Sequence, residues 1–517
     1  MELRSHFSVL EFGERKMRAH VIDGYRGRGL AVRVPLCAAM HGKGSMAEYN
    51  QLTPELIAEL ENIVGGDNCL TGEDINEDYA HDEMPIYGTH MPDAVVLPAN
   101  TDEVSAIMKL ASANNIPVTV RGAGTGLVGG STPLAGGIAL CTMRMDKILE
   151  YDENNLFVLV QPGVRLCDLA ADAIDHGFMY PPDPGEKTGS IGGNVSTNAG
   201  GMRAVKYGTT RDYVLAMTVV LPSGEVLRLG REVAKTSSGY SLLHLMVGSE
   251  GTLGVITELS MKLIPNPKED MSFILSFSDI QTAIAAVPKI KLAGLNPQSI
   301  EFMERDIVDS SAEYTGNKII PTVVDGNECG AYILVTLDGN DEDEIFQRAE
   351  TLAEIGEEAG AFDTLVIEHP ADKAAVWAAR SAFLTVIEAE TEHLDEMDVV
   401  VPVDKIAEFL GFIHDTGVEN DVLIRSFGHA GDGNLHIYCC GNNIEREAFL
   451  EKSTRVMHAA YAKCNELGGQ VSGEHGIGHA KKEYLRESVG DTAFSLMSGI
   501  KQVFDPKGIL NPGKVCN

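Results

Sequence analysis

Apolar positions switch between a helical and a strand period from residue 50 onward. Thr53-Pro54-Glu55 reads as a capped helix start, and Leu56, Ile57, Leu60 and Ile63 recur at helical spacing until Gly65-Gly66 ends the run. The apolar run at 93–98 predicts a short strand, Thr101 caps a helix through Leu110, and 117–120 predicts the next strand. Further strands are expected around 156–160, 216–221 and 254–263. Strand, helix and strand in alternation predict α/β or α+β architecture rather than a helical bundle.

The strand at 117–120 runs into Arg121-Gly-Ala-Gly-Thr-Gly-Leu-Val-Gly-Gly130. Gly124 to Gly129 satisfies G-x-G-x-x-G, but a dinucleotide fingerprint should open a helix, and Gly130, Pro133, Gly136 and Gly137 forbid one. The segment predicts an extended loop whose N–H groups wrap a pyrophosphate with Arg121 nearby; a purely structural glycine turn is the alternative. Pro181-Pro-Asp-Pro184, Ser190-Ile-Gly-Gly-Asn194 and Thr197-Asn-Ala-Gly-Gly201 form a second such run, expected to be irregular, and Gly248-Ser-Glu-Gly-Thr-Leu-Gly254 a third. Three backbone-exposing loops suggest one long ligand threaded across them.

A different chemistry is concentrated toward the C-terminus: Arg380, His429-Ala-Gly-Asp-Gly-Asn-Leu-His436, and the adjacent Glu474 and His475. A tight turn doubles the backbone back between the two histidines, so both can face one cation. Glu474 completes a set of two histidines and one carboxylate with open positions, as a catalytic metal requires. For Arg380 alone, a surface ion pair is the competing reading; for His475, orientation of the metal ligands.

Composition narrows the class. At 517 residues and 44% hydrophobic, the chain can build two or three cores, and no run approaches the roughly 20 apolar residues of a membrane helix. A formal charge of −34 argues against nucleic acid, while a local Arg or Lys pocket can still take a small anion. Nine cysteines, without any C-x-x-C, predict reduced thiols and a cytoplasmic setting, possible membrane contact being left to a partner. Cys439 and Cys440 are expected as ordinary strand residues rather than a vicinal disulfide. Residues 1–45 carry eight Lys or Arg against four acids, show no steady period and fit no signal peptide. They are expected to be a mis-assigned or disordered extension, with Met46 as the start.

Taken in order, Arg121-Gly-Ala-Gly-Thr-Gly, Pro182-Asp-Pro, Ile191-Gly-Gly-Asn, Asn198-Ala-Gly-Gly, Gly248 to Gly254, His429 to His436, Gly473-Glu-His-Gly476 and Asn511-Pro-Gly-Lys514 resemble the FAD-linked oxidoreductases of the vanillyl-alcohol oxidase/PCMH superfamily. The narrower resemblance is to its group of D-lactate dehydrogenases, GlcD-type glycolate oxidases and D-2-hydroxyglutarate dehydrogenases. The resemblance implies an α+β fold: a PCMH-type FAD-binding domain of two α+β subdomains over 46–267, a substrate domain of antiparallel sheet and helices over 268–480, and a closing segment over 481–517. It implies that Arg121, Gly122, Ala123, Gly124, Thr125, Gly126 and Leu127 hold the pyrophosphate. Pro182, Asp183, Ser190, Gly192, Gly193, Asn194, Asn198 and Gly201 would line the flavin, Glu250, Gly254 and Ile256 the adenine side, and Asn511 would close the ring region. Thr125 stands where covalent members often carry a histidine, so non-covalent FAD is expected.

The same resemblance implies oxidation of a 2-hydroxy acid to a 2-keto acid. His429, His436 and Glu474 would hold a divalent metal, zinc first, with iron or manganese as alternatives; His475 would act as base and Arg380 as the carboxylate clamp. Leu384 and Glu396 occupy positions where the 2-hydroxyglutarate enzymes carry a threonine and a lysine for the distal carboxylate, and Tyr438 replaces an asparagine often found there, which favours D-lactate or glycolate. Without iron–sulfur, haem or NAD motifs, the electrons are expected to leave for a separate acceptor: an electron-transferring flavoprotein, an iron–sulfur subunit or a quinone. The rivals are a D-2-hydroxyglutarate dehydrogenase, a non-catalytic flavin-carrying subunit, and a flavin-dependent ether-lipid transferase of the same superfamily.

Overall fold

The computed structural model describes residues 48–516; the extension expected over 1–45 and the start expected at Met46 lie outside the described residues. The first helix is Pro54–Val64, with Thr53 Oγ1 accepting from Leu56 N and Gly65 ending it at φ +86°. Parallel pairing then joins Ala94–Val96 and Val118–Arg121 to Ile138–Cys141, with Cys69–Thr71 antiparallel on the edge, and Thr101–Asn114 packs its apolar face on this small sheet. A five-stranded antiparallel sheet follows, in which Val255–Lys262 lies between Phe157–Val160 and Val214–Val220.

From Glu269 the chain builds a seven-stranded antiparallel sheet. Period-two alternation gives its strands two buried faces. Met397, Val399, Leu435, Ile437 and Cys439 enter the larger core, beneath helices that include Ile280–Leu292, Ile406–Asn420 and Arg446–Glu466. Met303, Phe427, Tyr438 and Cys440 point the other way, toward Arg305–Thr315, Pro370–Ser381 and Phe383–Glu390. The second face carries the candidate site. Cys439 and Cys440 are both buried, unlinked strand residues.

Two local expectations are corrected. The helix expected to be capped by Thr101 and to run through Leu110 is Thr101–Asn114, capped by Asn100, whose Oδ1 accepts from Glu103 N. The run at 190–197, expected to be irregular, contains the helix Ile191–Thr197. Ser190 Oγ accepts from Gly193 N, and Ile191 and Val195 are buried one turn apart. Gly192 is tolerated because backbone must pass close: a Cβ there would lie 2.6 Å from Pro162 Cβ. Tertiary packing outweighs two glycines of poor helix propensity. Among the described residues, no helix is long and apolar enough to cross a membrane.

Candidate active site

One cavity runs from the glycine loops to the second face of the large sheet. Its first wall is the loop after the strand Val118–Arg121, and Gly122, Ala123, Gly124, Thr125, Gly126 and Leu127 all line it. Among the described residues, the N–H groups of Ala123 to Val128 donate no hydrogen bond, the condition of a backbone nest awaiting an anionic ligand. Ser190, Gly192, Gly193 and Asn194 form a second wall, and Glu250, Gly254 and Ile256 a third. Asn194 Nδ2 is a buried donor without a protein partner. An unpaired nest and an unpaired amide on the walls of one cavity fit a long, acceptor-rich cofactor such as FAD.

The remaining residues expected at the cofactor stand behind these walls. Arg121 donates to His81 O at 2.6 Å and Ser131 Oγ at 3.2 Å, bracing the loop from below. Asp183 bridges Gly201 through backbone and pairs with Lys187 at 2.6 Å, with Pro182 buried beside it. Asn198 ends its helix at φ +55° and accepts from Thr209 Oγ1 and Arg211 N. Asn511 accepts from Val120 N and donates to Glu250 O at 2.6 Å, so it ties the C-terminal segment to two loops rather than closing over a ring. Positions that sequence reasoning passed over, including Ser131, Pro162, Ser196 and Met202, line the cavity instead.

At the sheet end, His429 and His436 sit on adjacent strands, Leu423–His429 and Asn434–Gly441. Gly433, at φ +90°, closes their turn where a Cβ would lie 2.0 Å from Val401 O. Glu474 arrives in a segment pinned by Asp398, whose Oδ2 accepts from the N–H groups of Gly473, Glu474 and His475 at 2.9–3.1 Å. Burial opposes the Asp398 charge, but His475 and Lys481 hold its pKa well below the usual range.

Three ring nitrogens converge on one oxygen. Glu474 Oε1 lies 3.5 Å from His429 Nε2, 3.2 Å from His436 Nε2 and 3.9 Å from His475 Nε2, and the first two nitrogens are 3.4 Å apart. Ligand atoms on a tetrahedral zinc with bonds of about 2.1 Å are separated by about 3.4 Å. His429, His436 and Glu474 are thus arranged as a cation-binding trio. The charge balance agrees. Four carboxylates lie within 4.0 Å of these histidines, those of Glu301, Glu396, Asp398 and Glu474, all buried, against two permanent cations, Arg380 and Lys481. A divalent ion would supply the missing charge. Without it the histidines compensate: although burial opposes charge, Glu301 raises the His429 pKa well above normal, and Glu396 and Asp398 bring His475 to about 9.

Arg380 lies on the same cavity, with its guanidinium over the Phe427 ring at 4.5 Å. Its Nε and Nη2 donate to Glu301 at 3.1 and 2.7 Å, so only the remaining edge of the fork faces away from that pair. Leu384, Thr385 and Tyr438 complete this end of the wall. Glu396 does not line it: the expectation that it stands where a distal substrate carboxylate would be repelled is corrected, because its Oε1 is turned to His475 Nδ1 at 3.1 Å. Glu301 and Asp398 went unnoticed in the sequence, where the only signal is an acid set within an apolar strand.

Comparison with known proteins agrees with this arrangement. Residues 92–230 match the family model of an FAD binding domain, and 266–515 that of FAD linked oxidases, C-terminal domain. The chain belongs to the FAD-linked oxidases, and it is an FAD-dependent oxidoreductase. D-lactate dehydrogenase of Anaerostipes hadrus is 52% identical over 469 residues, covering 91% of this chain and 98% of that protein. Glycolate oxidase subunit GlcD of Bacillus subtilis is 37% identical, covering 90% and 97%. The fold matches p-cresol methylhydroxylase at TM-score 0.73 and 16% identity, over 91% of this chain and 98% of that one, and alkyldihydroxyacetonephosphate synthase at 0.67 and 18%, over 90% and 85%.

Proposed function

We propose that this chain oxidises a small D-2-hydroxy acid, D-lactate or glycolate, to the 2-keto acid and delivers the electrons to a separate acceptor protein or quinone. The observation that carries the reading is the convergence of Arg380, His429, His436, Glu474 and His475 on one end of a cavity whose other end is the unpaired glycine nest. The names of the relatives, D-lactate dehydrogenase and glycolate oxidase subunit, support the same substrate class. In this reading residues 46–267 serve the cofactor, 268–480 the substrate, and 481–517 return to brace the cofactor loops.

FAD, when bound, accepts the hydride from the substrate C2. A divalent cation held by His429, His436 and Glu474, zinc in the first instance, would draw electron density from the substrate oxygens and lower the hydroxyl pKa. Arg380 binds the substrate carboxylate through the edge of its fork that Glu301 leaves over. His475 takes the hydroxyl proton at Nε2, with Glu396 Oε1 3.1 Å from Nδ1 on the far side of the ring. Apolar Leu384 and Phe427 give a second carboxylate no partner, which favours a monocarboxylate. No histidine lies in the glycine loop, and Thr125 lines the cavity, which supports non-covalent FAD.

The test is anaerobic mixing of the enzyme with D-lactate, L-lactate, glycolate and D-2-hydroxyglutarate while flavin absorbance near ~450 nm is followed, before and after chelation. Bleaching by D-lactate or glycolate that chelation abolishes is the expected result. Bleaching by D-2-hydroxyglutarate alone overturns the substrate, and bleaching indifferent to chelation overturns the metal.

A further inference from the structure

Glu301 touches neither the cavity wall nor the cation trio's shared centre, yet it joins the two parts of the site that must act on one substrate. It lies on the strand Ser299–Glu304 at the centre of the seven-stranded sheet, paired through backbone with Leu334. Strand alternation sends Ile300 and Phe302 into the larger core and turns Glu301, with Met303, toward the catalytic face. The residue is 0% exposed. A carboxylate that deep must be fully compensated or it destabilises the fold.

Among the described residues, its compensation comes from two functional side chains. Arg380 reaches Oε2 with Nε at 3.1 Å and Nη2 at 2.7 Å. His429 Nδ1 lies 2.8 Å from Oε1 and 3.0 Å from Oε2. The carboxylate faces Nδ1 of His429, so Nε2 is the nitrogen turned to His436 and Glu474. The same carboxylate occupies one edge of the Arg380 fork and fixes its plane over Phe427.

We infer that Glu301 is a positioning residue that locks the carboxylate clamp Arg380 and the metal ligand His429 to each other, so that cation affinity and substrate-carboxylate affinity are set by one buried side chain. The inference rests on the metal-assisted reading of the site given above. Removing the Glu301 charge loosens the His429 ring and the Arg380 plane together. A residue that merely filled the sheet interior would alter stability and leave both affinities in place.

The experiment compares Glu301→Gln with the wild-type holoenzyme, FAD retained, after removal of metal. Zinc alone is titrated calorimetrically, and KM and kcat for D-lactate are measured at saturating zinc. Asp338→Asn serves as the control, since Asp338 is a similarly buried acid on a neighbouring strand, paired to Lys206 and Tyr207 away from the trio. Expected for Glu301→Gln is zinc affinity weakened about 10- to 100-fold, the usual effect of losing a partner behind a metal ligand, with KM raised as well; Asp338→Asn should change neither. Unchanged zinc affinity in Glu301→Gln overturns the inference while leaving the metal reading intact. Absence of zinc binding by the wild type overturns both. Should Glu301→Gln fail to fold, Arg380→Lys decides. Arg380 is hydrogen-bonded to Glu301 and not to the trio, and the lysine keeps its charge over Phe427, so weakened zinc binding there supports the lock and unchanged binding overturns it.

Discussion

Glu396 Oε1 lies 3.1 Å from His475 Nδ1, and this contact turns Nε2 of His475 toward Glu474 and the cavity. Glu396 is buried and its backbone N–H donates to Asp395; its cross-strand partner Tyr438 lines the cavity, but Glu396 itself, turned to His475, does not. A carboxylate on the far side of the ring gives the histidine one defined direction, with Nε2 toward the cavity, as a general base requires.

Glu396→Gln is therefore expected to lower kcat for D-lactate about 10- to 100-fold, as loss of a supporting carboxylate typically does, with KM, FAD content and metal content close to wild type. Glu396→Asp should recover part of the loss. Steady-state kinetics beside cofactor and metal assays check this. A rise in KM with kcat unchanged would instead place Glu396 at the substrate.

The misread role of Glu396 marks the boundary of what the sequence makes legible. The glycine loops announce themselves locally, because Gly130, Pro133 and the positive-φ glycines at 124 and 129 forbid regular structure whatever surrounds them. The His429–His436 pair is legible for the same reason: one tight turn carries the geometry. Glu301 and Glu396 are not, because their roles depend on strands and loops distant in sequence. Glu301 meets His429 across 128 positions, and which side of a strand an acid serves depends on the register that tertiary packing selects. The helix Ile191–Thr197 escaped notice because burial of Ile191 and Val195, not intrinsic propensity, decides it.

The wall beside the clamp should set the length of the substrate. Leu384 lies one helical turn past Arg380, lines the cavity, and offers no hydrogen bond. Leu384→Lys places a cation there, one turn before Glu388. The ratio of kcat/KM for D-2-hydroxyglutarate over D-lactate should rise at least about tenfold, equivalent to about 1.4 kcal/mol. An unchanged ratio would show that the far end of the substrate lies against a different wall.

Cofactor retention should depend on a single methyl group. Gly124 has φ +85°, and a Cβ there would sit 2.0 Å from Arg121 Nη2, a side chain held by His81 O. Gly124→Ala carries a backbone cost of about 1–2 kcal/mol and displaces Arg121 from beneath the nest. The purified variant should hold less FAD than wild type, measured as flavin released per protein on denaturation. Full FAD content would remove the loop after Val118–Arg121 from the cofactor's path.

The acid limb of the stability curve should report His479. Its ring packs under Gly129, meets Tyr87 edge-on at 6.3 Å, and leaves Nε2 buried without a hydrogen-bond partner. Burial first, and the charge of Lys514 second, lower its pKa to about 4 from an ordinary 6.5. Because the folded-state pKa is depressed, the unfolded chain binds a proton that the native chain refuses once the pH drops below 6.5. Stability from this group is complete above that value and is lost progressively as the pH falls toward 4, by about 3 kcal/mol. His479→Phe keeps a ring in the same space and removes the titration. Its denaturation midpoint should therefore fall less than that of wild type between pH 6.5 and 4; parallel curves for the two proteins would show that His479 titrates as it does in the unfolded chain.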